Sequence, residues 1–294
     1  MADRPSLTQI AGPTASGKSR LALETARATG AVILNADSQQ LYADLNVLSA
    51  RPSADDEAQA EHRLYGVADA ADAWSVGRWT RAVLDELATL AAEGRPALLV
   101  GGTGLYFLSL TRGLADIPQV TPDVRSRLEA AYDAEGEAAF RRRLAEVDPE
   151  AEAAIEAGDR QRLVRALSVH QQTGRALSAF KADTRPLIEP DRWTGLVVEP
   201  PRDRLYAACD RRVDVMIGTG ALDEVRALLA RRLDPALPAM KAVGVRELGA
   251  HLAGEITLED ALAAMKQATR NYAKRQLTWF RNQTPDWPRH PGFA

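Results

Sequence analysis

Residues 7–19 read LTQIAGPTASGKS, and this stretch decides the fold class. The apolar run at 7–11 predicts a short buried strand, and residues 20–28 have the spacing of a helix. Between them, residues 12–19 match the pattern G-x-x-x-x-G-K-[ST] without exception. Such a loop binds phosphate groups, because its backbone N–H groups and the positive end of the helix dipole converge on an anion. The predicted cradle for a polyphosphate or diphosphate comprises Gly12, Thr14, Ala15, Ser16, Gly17, Lys18 and Ser19.

Two more strands are predicted at 31–36 and 96–100, with an alanine-rich amphipathic helix at 80–93 between them. Strands that alternate with helices indicate a parallel, doubly wound sheet. Ligands in such sheets lie beyond the carboxyl ends of the strands. The segments DSQQLY (37–42) and GGTGLY (101–106) follow these strands, so we expect both to face the phosphate loop. The predicted fold class is α/β, with a P-loop NTPase-like parallel sheet flanked by helices.

The pattern changes in the middle of the chain. Residues 121–172 have only helical periodicity, with acids and arginines interleaved. A late apolar run at 196–199 predicts a strand that returns the chain to the sheet. We therefore expect a P-loop core domain at 1–117 and 196–294, and a helical insertion domain at 118–195.

The composition is that of an ordinary globular protein and excludes several classes. The chain has 294 residues, with 37 Lys and Arg against 40 Asp and Glu, so its formal net charge is −3. The single cysteine, Cys209, and four scattered histidines exclude a disulfide framework and a zinc site with the usual ligand spacing. No apolar stretch reaches the roughly 18 residues of a membrane span, and residues 1–12 lack the apolar core of a secretion signal. We expect a cytoplasmic monomer with no membrane or protein partner.

Asp37 and Thr103 carry the candidate chemistry at the other two strand ends. Asp37 is predicted to hold Mg²⁺ through water or to act as a general base, and a helix N-cap is the alternative. The Ser19 hydroxyl is a natural Mg²⁺ ligand at the end of a phosphate loop. Thr103 stands among three glycines, so its hydroxyl is either a donor to a phosphate oxygen or part of a plain turn.

The phosphate loop GPTASGKS (12–19) and the segments DSQQLY (37–42) and GGTGLY (101–106) together resemble the bacterial tRNA dimethylallyltransferases. Three distal segments extend the resemblance over almost the whole chain: GDRQRLVRAL (158–167), KAVGVRE (241–247) and TRNYAKRQLTWFRN (269–282). The resemblance implies transfer of a dimethylallyl group from dimethylallyl diphosphate to the N6 amine of the adenosine 3′-adjacent to the anticodon. It also implies Mg²⁺ as the cofactor and the tRNA anticodon stem-loop as the macromolecular partner.

The resemblance also implies roles for single residues. Residues 14–19 are expected to cradle the diphosphate, and Arg212 to neutralise it. Asp37 is expected to take the proton from the adenine amine, and Thr103 to lie beside the leaving diphosphate and the base. The residues expected to contact tRNA are Asp37, Ser38, Gln39, Gln40, Thr103, Arg125, Gln161, Arg162, Arg165, Lys241, Arg246, Arg270, Lys274 and Arg275.

The charge of the C-terminal part supports an RNA partner. Residues 261–294 carry six Lys and Arg against one acid, a net charge of +5. Lys266, Arg270 and Lys274 follow i, i+4, i+8 spacing and are expected to share one helix face. Tyr272 and Trp279 interleave with them and are expected to stack on RNA or support this face. A solvated helix surface is the alternative.

Three other functions remain open from the residues. A small-molecule P-loop kinase also uses residues 12–19, Asp37 and Mg²⁺, with Arg160, Arg162 and Arg165 as its lid. A nucleotide switch or RNA-binding module without chemistry needs the loop but not the Asp37 carboxylate. Prenyl transfer to free AMP, ADP or ATP needs no RNA groove.

Overall fold

A six-stranded sheet forms the centre of the computed structural model, which describes residues 7–182 and 184–292. Residues 1–6, part of the stretch in which we predict no secretion signal, lie outside the described residues. The strands run in the order β3-β2-β4-β1-β5-β6, and all neighbouring pairs are parallel. They are β1 (Leu7–Ala11), β2 (Val32–Asn35), β3 (His62–Arg63), β4 (Ala97–Gly101), β5 (Trp193–Val198) and β6 (Arg289–His290).

The predicted α/β fold class is confirmed. The predicted strands at 7–11, 31–36, 96–100 and 196–199 correspond to β1, β2, β4 and β5. β3 and β6 have two residues each, which is too short to produce a periodic pattern in the sequence. β5 begins at Trp193, earlier than predicted, because its first residues pair with the start of β1.

Thirteen α-helices surround or follow the strands in the described part of the chain. None of these helices combines the length and the apolarity that a membrane span requires. They are α1 (Lys18–Thr29), α2 (Ala54–Gln59), α3 (Val76–Ala92), α4 (Gly104–Thr111), α5 (Pro122–Glu135), α6 (Glu137–Val147), α7 (Pro149–Ala154), α8 (Arg160–Thr173), α9 (Leu177–Ala182), α10 (Arg202–Gly218), α11 (Ala221–Ala230), α12 (Val245–Leu252) and α13 (Leu258–Gln283).

The chain divides into two compact units. The sheet unit takes the residues up to 111 and from 188 onward, and the helical unit spans 112–187. These bounds differ from the predicted insertion at 118–195. The difference at the second boundary arises because Trp193 already belongs to β5 and pairs within the sheet.

Successive side chains of a strand point to opposite faces of the sheet, and both faces of this sheet are apolar. Leu34 of β2 and Leu99 of β4 belong to the larger core, which packs against α3, α4 and the helices α10–α13. Ile33 and Leu98 belong to a smaller core that packs against α1. This two-sided burial explains why the strands read as short continuous apolar runs.

The helical unit has its own apolar core, formed by α5 to α9. Leu128, Phe140, Leu144 and Leu163 are among its buried residues. The ring of Phe140 also meets that of Tyr132 edge-on, with centroids 5.0 Å apart. A core of this kind accounts for the compactness of 112–187.

Trp79 connects the core to the end of β2. Its side chain is fully buried, and its ring stacks on Tyr106 with centroids 4.0 Å apart. Its Nε1 donates a hydrogen bond of 2.9 Å to the Asn35 carbonyl. The Asn35 side chain in turn accepts from the N–H of Asp37 and donates to its carbonyl, at 2.8 and 3.0 Å. The packing of α3 therefore fixes the backbone that carries Asp37.

We expect Trp79→Phe to lower the free energy of unfolding by about 1–3 kcal/mol, because it leaves a buried carbonyl without its donor. Urea denaturation measures this loss. Trp193→Phe is the matched control, since the Trp193 Nε1 is buried and donates to no atom of the described residues. Equal losses for the two variants would show that the hydrogen bond to Asn35 contributes nothing.

Candidate functional site

The phosphate loop connects β1 to α1 and has a backbone that favours small residues. Ala15 and Gly17 have φ of 60° and 87°, in the left-handed region. A Cβ at Gly12 would lie 2.8 Å from the Val198 carbonyl oxygen, so a side chain there would displace β5. Gly17 provides no side-chain cap for α1. The first N–H groups of this helix are therefore left for a ligand.

Lys18 is a buried cation at the base of this loop. Its side chain is 9% exposed, and its Nζ donates to the Pro13 carbonyl at 3.2 Å. Burial lowers the pKa of Lys18 to about 8, although the charge of Asp37 acts in the opposite direction. No carboxylate of a described residue forms an ion pair with it. A buried cation without a paired anion favours an anionic ligand.

Asp37 follows β2 and is held in a turn rather than at a helix. Its Oδ1 accepts from the N–H of Gln39 at 3.0 Å, and within the described residues its Oδ2 accepts no hydrogen bond. The next helix, α2, begins only at Ala54. The helix N-cap alternative is therefore wrong, and one carboxylate oxygen is available for chemistry.

Thr103 joins the ends of β2 and β4. Its hydroxyl accepts from the N–H of Ser38 at 2.9 Å and donates to the Ser38 Oγ at 3.3 Å, while its own N–H donates to the Ala36 carbonyl. The two strand ends lie so close that a Cβ at Gly101 would be 2.1 Å from the carbonyl carbon of Ala36. Thr103 thus holds the turn that carries Asp37.

A cavity of about 160 Å³ unites the phosphate loop, the Asp37 turn and three helices. Arg212 of α10 lies in its wall and donates from Nη2 to the Ser49 carbonyl at 2.9 Å. Burial lowers the pKa of Arg212, whereas the neighbouring Asp37 raises it. The cavity is lined by Thr14, Lys18, Ser19, Asp37, Gln39, Gln40, Leu48, Ser49, Arg212, Met216, Lys241, Ala242, Val243, Met265, Thr269, Tyr272 and Arg275.

Gln276 is a site residue that the sequence reasoning missed. It is 6% exposed, its Oε1 accepts from the N–H of Thr14 at 2.9 Å, and its Nε2 donates to the Gly102 carbonyl at 2.9 Å. The Thr14 N–H of the predicted cradle is therefore already occupied. The available signal was a lone polar residue on the buried face of α13, next to Ala273 and Leu277.

The spacing of Tyr272 suggested that it supports a basic surface, but the structure gives it a different place. Its side chain lines the cavity, and its hydroxyl makes no hydrogen bond to a described residue. Burial, followed by the charge of Asp37, raises its pKa well above the usual value. The hydroxyl is therefore a protonated donor that faces the cavity.

Acids of α10 pair with two of the three cations that the spacing predicts on one face of α13. Lys266 pairs with Asp214 at 2.6 Å and Arg270 pairs with Asp210, both acids of α10. These ion pairs neutralise two of the three cations in the i, i+4, i+8 series. Lys241, Lys274 and Arg275 are exposed, and none of them forms an ion pair with a described residue.

These cations surround the entrance of the cavity. Lys241 and Arg275 line the cavity itself. Lys274 and Arg275 also line an open groove beside it, together with Asn271 and Trp279. Arg246 lies elsewhere: its side chain is 88% exposed and pairs with Glu247.

Gln40 and the remaining predicted residues have other contacts. The Gln40 Nε2 donates to the carbonyls of Ser49 and Ala50, at 3.1 and 2.8 Å. In the helical unit, Arg125 pairs with Glu129 and Arg162 pairs with Asp159. Gln161 and Arg165 are exposed there. Partial burial and then the charge of Arg125 lower the pKa of Arg165, so these two arginines lie on one side of the unit.

The described residues contain no group of three or more His, Cys, Asp and Glu side chains that alone would hold a metal ion. Ser19 and Asp37 nevertheless bring a hydroxyl and a carboxylate to the same cavity. Mg²⁺ commonly takes one or two such oxygens and completes its shell with phosphates and water. The donor set therefore fits Mg²⁺ in the presence of a diphosphate.

Comparison with known proteins gives concordant matches. The family model described as IPP transferase matches residues 40–283, and the one described as isopentenyl transferase matches residues 5–72. The tRNA dimethylallyltransferase of Caulobacter sp. (strain K31) is 59% identical, over 95% of this chain and 91% of that protein. The enzyme of the same name from Phenylobacterium zucineum (strain HLK1) is 58% identical, over 97% of this chain and 92% of that protein.

A solved structure agrees with these matches. The full-length tRNA isopentenylpyrophosphate transferase of Bacillus halodurans superimposes with a TM-score of 0.68 and 32% identity. The match covers 98% of this chain and 90% of that one. The similarity thus extends over both units rather than over the phosphate loop alone.

We expect inorganic pyrophosphate to bind at pH 8 with uptake of about half a proton by Lys18, because the anion restores the usual pKa of this amine. The sign follows from the lowered pKa: the amine is half-charged at pH 8 when the site is free, and fully charged beside the anion. The affinity should accordingly fall as the pH rises above 8. Calorimetry in buffers of different ionisation enthalpy measures the uptake.

Lys18→Arg is the control for this measurement, because a guanidinium keeps its charge at this pH. Subtracting its proton uptake removes the contribution of the ligand's own ionisation. The same uptake by both proteins would contradict the lowered pKa of Lys18.

Proposed function

The chain belongs to the IPP transferase family, and we propose that it transfers a dimethylallyl group from dimethylallyl diphosphate to tRNA. The acceptor in this proposal is the N6 amine of the adenosine 3′-adjacent to the anticodon. The observation that carries it is a single cavity with a phosphate loop at one end, a free carboxylate oxygen in its wall and apolar side chains at the other end.

The positive charge at the loop end suits a diphosphate leaving group. Negative charge develops on the diphosphate as its bond to the allylic carbon breaks, and preorganised donors stabilise that charge. The N–H groups of Ala15 and of residues 17–19 supply these donors, together with the Lys18 ammonium and the Arg212 guanidinium. The Ser16 N–H already donates to the Pro13 carbonyl at 3.3 Å. Mg²⁺, held by the Ser19 hydroxyl, would add a further positive charge at the phosphates.

Asp37 suits the role of general base. The N6 nitrogen forms a bond to C1 of the dimethylallyl group while the bond from C1 to the diphosphate oxygen breaks, and the diphosphate leaves with that electron pair. The attacking nitrogen then carries an excess proton, which passes to the Asp37 Oδ2. The protonated Tyr272 hydroxyl faces the same space and is a donor for the diphosphate oxygen.

The apolar end of the cavity suits the dimethylallyl group. Leu48, Met216, Val243 and Met265 lie there, and none carries a polar side-chain group that water would solvate. A phosphoryl-transferring kinase has no use for such an end beside its phosphate loop. Arg160, which the kinase alternative would place in a lid, is moreover paired with Asp133 at 2.8 Å.

tRNA is the proposed acceptor because unpaired cations surround the entrance. The positions of Lys241, Lys274 and Arg275 suit the binding of RNA phosphates. This electrostatic contribution to the affinity falls as the salt concentration rises. The adenine must leave its stack to reach the cavity, which costs little in a loop. In the helical unit, proposed as the tRNA-contacting insertion, the remaining candidates are Arg125, Gln161, Arg162 and Arg165.

A donor–acceptor assay tests this function. The protein is incubated with Mg²⁺, labelled dimethylallyl diphosphate and unmodified tRNA, with AMP, ADP and ATP as parallel acceptors. We expect label on the tRNA alone. Label on a free nucleotide alone would favour the smaller acceptor, and release of phosphate from ATP without label transfer would favour the kinase.

We expect Asp37→Asn to lower kcat by about 10²- to 10⁴-fold, because the amide cannot accept the proton. The affinity for tRNA, measured by filter binding, should change little, since the turn at Asp37 is held by its backbone contacts. Asp286→Asn, an exposed substitution beyond α13, is the control. A variant with normal kcat and weakened tRNA binding would remove Asp37 from the base role.

A further inference from the structure

The cavity has a direction, which α13 defines. At one point of this helix, Gln276 contacts the phosphate loop through the N–H of Thr14. Tyr272, Thr269 and Met265 line the cavity at successive turns toward the start of the helix. At 1.5 Å per residue, Met265 lies about 16 Å along the helix from Gln276. Met265 is therefore at the end of the cavity that is remote from the phosphates.

α10 gives the same direction independently. The pairs Lys266–Asp214 and Arg270–Asp210 show that α10 and α13 run antiparallel. In this register the side chain of Met216 lies near the level of Met265, one turn beyond Arg212. Arg212 of α10 and Tyr272 of α13 thus lie in the middle of the cavity. Met216 and Met265 of the same two helices lie at its remote end.

The remote end is closed at Gly244. A Cβ built at this glycine would lie 2.7 Å from the Leu48 Cδ2 and 2.8 Å from the Met265 Cε. The space of the absent side chain is therefore filled by these two residues. Gly244 has a φ of 101°, in the left-handed region, so the backbone itself favours glycine there.

Two carboxylates, one part-buried and one buried, hold the backbone at this end. The Glu224 carboxylate accepts from the N–H groups of Asn46, Val47 and Leu48, at 2.7 to 2.9 Å. The Glu247 carboxylate, 7% exposed, accepts from the N–H of Gly244 at 3.0 Å. These hydrogen bonds restrain both backbone segments that border the remote end.

We infer that this closed end, with Met265 as its decisive side chain, limits the donor to a five-carbon prenyl group. The inference rests on the proposed function and adds the chain-length specificity of the same site. The cavity of about 160 Å³ extends from the phosphate loop to this end, so the prenyl group has only part of that volume. A second five-carbon unit has no space between Met265, Met216 and Leu48.

Truncation of Met265 is expected to open this end. The side chain lines the cavity, so the volume that Met265→Ala releases is continuous with the prenyl subsite. Geranyl diphosphate, the ten-carbon homologue, then has room for its second unit. One methylene in an apolar pocket already changes kcat/KM by about 10- to 200-fold, so relief of a five-carbon clash should raise the relative use of geranyl diphosphate by more than about 10-fold.

The test compares the ratio of kcat/KM for geranyl and dimethylallyl diphosphates, with tRNA as acceptor, between the unaltered chain and Met265→Ala. Met240→Ala is the matched control, because Met240 packs against the same core and does not line the cavity. We expect the ratio to rise in Met265→Ala and to stay unchanged in Met240→Ala. An unchanged ratio in Met265→Ala, or equal use of both donors by the unaltered chain, would overturn the inference.

A binding measurement separates this inference from the proposed function. Calorimetry without tRNA gives the affinity for each diphosphate, and thermal unfolding verifies that each variant is folded. The unaltered chain should bind dimethylallyl diphosphate and exclude geranyl diphosphate, whereas Met265→Ala should bind both. Absence of transfer to tRNA would overturn the proposed function alone. Equal affinity of the unaltered chain for both diphosphates would overturn the chain-length limit alone.

Discussion

The two hydrogen bonds of the Gln276 amide join the three parts on which the site depends. They connect α13 to the phosphate loop through Thr14 and to the end of β4 through Gly102. Because α13 also contributes Tyr272 and Met265 to the cavity, one helix sets the distance between the phosphate end and the apolar end. The sheet thus positions Asp37, whereas α13 positions the cavity wall that runs from the phosphate loop to the apolar end.

The chemistry of the phosphate end was predictable from the sequence because it is local. The loop needs a left-handed backbone at Ala15 and Gly17, so its small residues stand close together in the sequence. The end of a buried parallel strand is also visible in the sequence, because its apolar run stops there. The apolar end was not predictable, because Leu48, Met216, Val243 and Met265 come from four separate segments. Each of them reads as an ordinary core residue in its own segment, and their convergence exists only in the folded chain.

The charge pattern was misleading for a related reason. The net +5 of residues 261–294 suggests a basic face, yet α10 supplies Asp210 and Asp214 opposite Arg270 and Lys266. Helix spacing shows which side chains share a face but not what that face packs against. The same acids that remove these two cations from the surface also fix the register of α10 against α13. In the sheet unit, the predicted tRNA-contacting cations that form no ion pair with a described residue are therefore Lys241, Lys274 and Arg275.

Backbone N–H groups are available to a ligand at the phosphate end of the cavity and occupied at the remote end. This difference favours one orientation of the ligand. At the phosphate end, the first N–H groups of α1 have no side-chain cap, so an anion gains hydrogen bonds there. At the remote end, Glu224 and Glu247 already accept from the N–H groups of residues 46–48 and of Gly244. A diphosphate placed at that end would find these donors already occupied. The remote end therefore favours an uncharged group over a diphosphate, and Asp37 lies in the wall of the same cavity.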